Sequence, residues 1–272
     1  MRAKRKKAVQ CFGSRKRLKP VSRAKSSNEH ETPPLPAVHP WRVCPYGEHW
    51  VKTHPMHVSP SKTHPDGSIT TRHEHCAHNP SGKDQLYPDE IQEITNQNFS
   101  DLKNKPCPLP LGFGTQGSKY DDLIAGWVQY WNEVLKPKVP LDPNLVKALI
   151  ASESGFDPSR LAKPKNSNSA RGLAQITNGT RKLLDGDKGG LKDHLITATR
   201  SDLNDPSVNI CAGVRWLFEK RRLATSRLKK PAAWIDTIWE YKGTKLASKK
   251  EAENIKNIFN KFYGEYQKCG RK

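Results

Sequence analysis

Apolar residues recur at helical spacing from residue 118 onward, and before it they do not. Leu123, Ile124, Trp127, Val128, Trp131, Val134 and Leu135 form one stripe, with Ser118 as the expected cap and Pro137 and Pro140 as the stop. The next helix is marked by Asp142 as N-cap and Pro143 at the first helical position. Leu145, Ala148, Leu149 and Ser152 then share a face, and Gly155 ends the helix. Further helices are expected over 209–225, with Ile210, Val214, Leu217 and Phe218 inward, over 232–241, and over 249–266, with Ile255, Ile258, Phe259, Phe262 and Tyr263. No alternating strand pattern of useful length appears in this half, which reads as one mainly α domain over 111–272.

Residues 39–110 have a different composition. Nine of the ten His lie between His30 and His78, among Pro, Gly, Ser and Asn, which favours turns and short strands over helices. The PDGS run at 65–68, followed by ITTRHEH, reads as a turn leading into a strand. So few aliphatic residues cannot hold a module together without a staple. Two staples fit. One is a structural zinc held by Cys44, His49, His75 and Cys76, although the usual close Cys and His spacing is absent. The other is a disulfide, most simply Cys44 to Cys76, with Cys107 as a competing partner. The stretch NPSGKDQLYPDEI resembles a small Cys/His module of peptidoglycan hydrolases and toxin-like bacterial proteins.

The formal net charge of +20 is unevenly placed: residues 1–30 carry +10, residues 31–118 carry −2 and residues 119–272 carry +12. The first of these reads as a disordered, solvated basic arm, and ETPPLPAVHP (31–40) as an extended linker, giving an arm-and-linker segment over 1–38. The apolar stretch after Lys7 is only AVQCF, too short for a secretory signal, and no run of 18 apolar residues could span a bilayer. The arm lacks interleaved aromatics to stack on bases, so nucleic acid is not the expected partner.

Glu153 stands at the end of the helix in ALIASESGFDPS. A Glu there opposes the helix dipole, so an exposed, idle side chain would be slightly disfavoured. Leu149, Ile150 and Phe156 are apolar neighbours that could favour its protonated form, as a general acid requires, but on these residues alone an exposed Glu at a helix end is the plainer reading. Glycosidases commonly use two carboxylates. None here has an obvious matching position: Asp157 reads as a turn cap with Pro158, and Asp185, Asp187 and Asp193 lie in a Gly-rich loop where they could place a water.

The runs ALIASESGFDPSRLAKPKNSNSARGLAQIT, DPSVNICAGVRWL and IWEYKGT occur in that order. Together they resemble the catalytic domain of soluble lytic transglycosylases (SLT), related in fold to goose-type lysozyme, over roughly 119–265. The resemblance implies a lysozyme-like α domain that cleaves peptidoglycan between N-acetylmuramic acid and N-acetylglucosamine and leaves a 1,6-anhydro product. It implies Glu153 as the catalytic acid/base, Ser154 and Gln175 lining the glycan cleft, and Tyr241 near the Glu153 carboxylate. Gly172, Asn209 and Gly213 would be structural motif positions. No cofactor is implied for catalysis. A lysozyme-like hydrolase and a non-catalytic wall-binding protein are the alternatives.

The motifs depart from the family pattern in four places. Ser169 stands where the family has Gly, Ala174 where it has Met, and Trp216 where it has Tyr. WEYKG is one residue shorter than the Y-N-x-G type of motif if Tyr241 is aligned. The expected fold class is therefore mainly α: a lysozyme-like domain preceded by a small irregular or β Cys/His module and a disordered basic arm. The expected partner is the glycan strand of the wall, so action in the periplasm or wall is expected, with delivery by a phage particle or by a secretion system as an effector.

Overall fold

Around the cystine Cys44–Cys76 the chain forms a long, broken hairpin. The computed structural model describes residues 38–63 and 65–269, and the basic arm and the linker up to residue 37 lie outside these described residues. Strand β1 (Glu48–Val51) pairs antiparallel with β4 (His75–His78), and β2 (His54–Val58) pairs antiparallel with β3 (Ser68–Arg72). Trp50 lies opposite Cys76, so the disulfide clamps the half-buried base of the hairpin. The β2–β3 end is mostly exposed.

Gln85–Leu86, strand β5, runs parallel to β6 (Leu195–Ile196) and ties the hairpin segment to the 190s loop. Helix α1 (Pro88–Asn98) follows at once. Pro88 opens it, Asp89 and Glu90 occupy its first turn, and Ile91 and Ile94 are fully buried. The composition of 39–110 favoured turns and strands, so this helix is an addition. Its local signal is weak, and it gains its stability by packing two Ile onto the main core.

The remaining helices are α2 (Asp121–Leu135), α3 (Pro143–Ser154), α4 (Asn178–Leu184), α5 (Pro206–Leu228), α6 (Trp234–Tyr241) and α7 (Lys249–Cys269). The fold is mainly α with a small β module ahead of it. Helix α5 is buried on all sides from Ser207 to Leu217 and packs against α6, α2 and α1. Trp127, Tyr130 and Trp131 of α2 fill the space beside it. Its start is three residues earlier than expected because Asp205 caps it, accepting the Val208 N–H at 3.0 Å. Helix α2 starts later than Ser118 implies: Ser118 ends a 3-10 turn at Gly114–Gly117, and Tyr120 takes the cap position with no side-chain bond.

One buried polar cluster joins distant segments. Arg42 pairs with Glu90 and Asp84, and its Nη2 donates to the Glu48 carbonyl at 2.8 Å. His194 lies 2.6 Å from the other oxygen of Asp84. Burial raises the cost of charging Asp84, yet His194 and Arg42 hold its carboxyl below the usual range. Helix α7 lies along α3 and is stapled at its end by a second disulfide, Cys107–Cys269. Among the described residues no helix is long and apolar enough to cross a membrane.

Candidate active site

Helix α3 carries Glu153 on its last turn. Asp142 caps the start, accepting the Asn144 N–H at 2.9 Å, and Gly155 closes the end at φ +64°. The backbone then turns sharply, and Phe156 is buried edge-on against Phe113 at 5.1 Å. This places Glu153 at the surface end of a buried helix, with 20% of its side chain exposed. Ser154 faces inward: it is buried, and its hydroxyl donates to the Ile150 carbonyl at 3.2 Å.

Gly172, Ala174 and Gln175 lie on a tight loop between α3 and α4. Gly172 adopts φ +71° and also has no room for a side chain: a Cβ would sit 2.2 Å from Asn209 Nδ2 and 2.5 Å from the Leu203 carbonyl. Asn209 is buried in α5 and ties this loop to the turn that precedes α5. Oδ1 accepts the Ala174 N–H at 2.7 Å, and Nδ2 donates to Arg171 and Leu203 carbonyls at 3.0 and 2.8 Å. Gln175 also adopts positive φ, and its Nε2 donates to the Gly172 and Arg160 carbonyls at 2.8 and 3.1 Å. Its amide donors therefore brace the loop. Ser169 serves the same segment, accepting the Lys163 N–H at 2.7 Å.

Gly213 lets α5 approach this loop, since a Cβ there would meet the Ala174 methyl at 2.6 Å. Tyr241 ends α6 beside the same loop. Its hydroxyl donates to the Ala174 carbonyl at 2.6 Å. Burial pushes that hydroxyl well above its ordinary range, and the nearby negative Glu153 adds to the effect. Tyr241 thus stays protonated and is anchored to the loop.

The direct partner of Glu153 is Lys242, which sequence reasoning did not single out. Its ammonium donates to Glu153 Oε1 at 2.6 Å and to Ser152 Oγ at 3.1 Å. Only 7% of the Lys242 side chain is exposed. The trace of it in the sequence is the departure itself: a Lys follows Tyr241 in WEYKG, where the resembled motif has Asn.

Three of the other carboxylates that the sequence offers are engaged. Asp157 accepts the Ser159 N–H at 2.9 Å in a turn. Asp185 bonds Thr197 and Gln85. Asp193 accepts from Tyr46 at 3.1 Å and from the Asp84 N–H at 3.0 Å. Asp187 lies in a 3-10 turn.

The residues offered as zinc ligands are not gathered. Cys44 and Cys76 share a disulfide, so neither presents a free thiolate. His49 bonds Asn79 at 2.8 Å and stacks on Tyr87, and His75 bonds the His73 carbonyl at 2.9 Å. Among the described residues no three His, Cys, Asp or Glu are grouped to hold a metal ion. The zinc alternative is corrected to the disulfide at this position, because two bonded sulfurs cannot also act as thiolate ligands.

Residues 130–234 match the transglycosylase SLT domain. The matched SLT segment includes Glu153, Ser154, Gly172, Gln175, Asn209 and Gly213, while Tyr241 and Lys242 lie just beyond it. It supports an SLT-type, lysozyme-like catalytic domain in this part of the chain, with peptidoglycan as the substrate class at family level. Action at the cell wall or periplasm is consistent with that substrate. No curated protein matches the chain.

Proposed function

We propose that the chain is a peptidoglycan lytic transglycosylase with Glu153 as its single acid/base. One observation carries this reading: within the matched SLT segment, Glu153 stands partly exposed at a helix end, beside a loop braced by Asn209, Gln175 and Tyr241. Of the Asp residues that offer a second carboxylate, Asp157 is tied into a turn, Asp185 bonds Thr197 and Gln85, and Asp193 accepts the Asp84 N–H. A route that needs one carboxylate therefore suits the site better than one that needs two.

The reaction follows from that economy. Glu153 in its protonated form gives its proton to the oxygen linking N-acetylmuramic acid to N-acetylglucosamine, and the β-1,4 bond breaks. The C6 hydroxyl of the muramic acid then attacks its own C1, closing a 1,6-anhydro ring, and its proton returns to the Glu153 carboxylate. No water and no cofactor is consumed. The substrate supplies its own nucleophile, already held at short range.

Digestion of purified sacculi, followed by mass spectrometry of the products, tests this. Anhydro-muropeptides are expected, and Glu153→Gln is expected to lower their release by about 10²-fold or more. Products with reducing ends point instead to a lysozyme-like hydrolase. Binding to sacculi without any release points to a wall-binding protein.

A further inference from the structure

We infer that Lys242 is a positioning residue for Glu153: it fixes one carboxylate oxygen so that the other exchanges the proton, and it balances the charge left when that proton departs. The inference rests on the proposed role of Glu153 and adds a second residue to that site.

The geometry is specific. Lys242 Nζ donates to Oε1 of Glu153 at 2.6 Å, and among the described residues no protein group is bonded to Oε2. The same ammonium donates to Ser152 Oγ at 3.1 Å, and Ser152 in turn donates to the Leu149 carbonyl at 2.9 Å. Both contacts of the ammonium fall on the last turn of α3, where the helix dipole favours a cation and opposes a lone carboxylate. The backbone behind Lys242 is held as well. Its N–H donates to the Ile238 carbonyl at 2.9 Å, and the preceding Tyr241 is anchored to Ala174. A lysine stem this well packed has little freedom to wander, and its charge acts with little screening by water.

That arrangement assigns a task to each oxygen. Oε2 carries the proton, gives it to the glycosidic oxygen as the C1–O bond breaks, and later accepts the proton of the C6 hydroxyl as the new C1–O bond forms. Oε1 stays with Lys242 throughout, and Lys242 keeps all of its own protons. The ammonium stabilises the carboxylate at the moment it forms, which is an interaction stronger in the transition state than in the bound substrate. Its loss is therefore felt in kcat more than in KM.

Kinetics on soluble glycan strands, read as anhydro-product release, test the assignment with Lys242→Met, Lys242→Ala and Lys242→Arg beside the parent. Thermal unfolding of each variant reports its folded state. Lys242→Met is expected to lower kcat by about 10²-fold while KM stays within about twofold of the parent. Lys242→Arg keeps a cation at Oε1 and is expected to recover most of that loss. Added ethylammonium is expected to raise the kcat of Lys242→Ala. Parental kcat in Lys242→Met overturns the role of Lys242 and leaves that of Glu153 standing. A loss that tracks unfolding, with no recovery in Lys242→Arg or from the amine, also overturns it. A parent that releases no glycan fragments overturns the proposed function, and this role with it.

Discussion

Asn209 and Ala174 are joined across 35 residues of sequence by a 2.7 Å hydrogen bond from the Ala174 N–H to Asn209 Oδ1. The carbonyl of the same Ala174 accepts the Tyr241 hydroxyl at 2.6 Å. One short peptide segment is thus bonded to both α5 and α6. That segment sets the position of the loop beside Glu153.

Replacing Asn209 by Ala leaves the Ala174 N–H and the Leu203 carbonyl without their partner, while the Arg171 carbonyl keeps the Ile176 N–H at 3.0 Å. Buried polar groups left unpaired cost about 1–3 kcal/mol each, so a loss of about 3 kcal/mol in unfolding free energy is expected. Urea denaturation measures it, and glycan cleavage should fall together with the stability of the loop.

Gly172→Ala acts on the same contact from the opposite side. A methyl group there meets Asn209 Nδ2 and the Leu203 carbonyl at 2.2 and 2.5 Å, on a residue held at φ +71°. The loop must move, at a cost of about 2 kcal/mol or more. A lowered urea midpoint with an unchanged m-value is the expected result, and a parental midpoint would show that the loop yields freely.

The disulfide Cys107–Cys269 closes a loop of 162 residues and fastens the end of α7. In the chain-entropy picture a loop of that size contributes about 5 kcal/mol. A Cys107→Ala, Cys269→Ala double variant should unfold at markedly lower urea than the parent. Because α7 packs along α3, hydrogen exchange should also rise along both helices before the hairpin is affected.

Asp121 supplies a pH signature. Burial pushes its carboxyl up from the ordinary 3.8 to about 6, against the pull of the buried Lys147, whose ammonium lies 2.8 Å away. Between those two values the folded protein holds the Asp121 proton more tightly than the unfolded chain does. Its contribution to stability is complete below about pH 4 and is lost as the pH rises through 6. Relative to Asp121→Asn, the parent should therefore lose stability between pH 4 and pH 6 and run parallel above that range. Urea titrations of both proteins across this range provide the check.

Local signals in the sequence located the helices that build the site. Asp142–Pro143 and Gly155 bracket α3 as capping chemistry requires, and the apolar stripe of α2 matches its buried face. Glu153, Gly172, Gln175, Asn209 and Gly213 were legible because they fall in short runs with a recognisable order. Helix α1 was not, since two Ile in a Pro-rich context form too weak a local pattern. Capping signals at Asp205 and Thr177 lie outside the apolar stripes, so α5 extends beyond its expected start and α4 was not placed.

The sequence by itself determined the helical half and the ends of its main helices, because capping and periodicity act over a few residues. The partners were decided only by the tertiary structure. Cys107 could pair with several cysteines until α7 brought Cys269 beside it. Cys44 and Cys76 offered zinc ligation or a disulfide, and in the folded chain their sulfurs are bonded to each other. Lys242 was one of many lysines until α6 returned its ammonium to the end of α3, 89 residues back along the chain. Contacts of that range depend on how whole helices pack, and no local spacing encodes them.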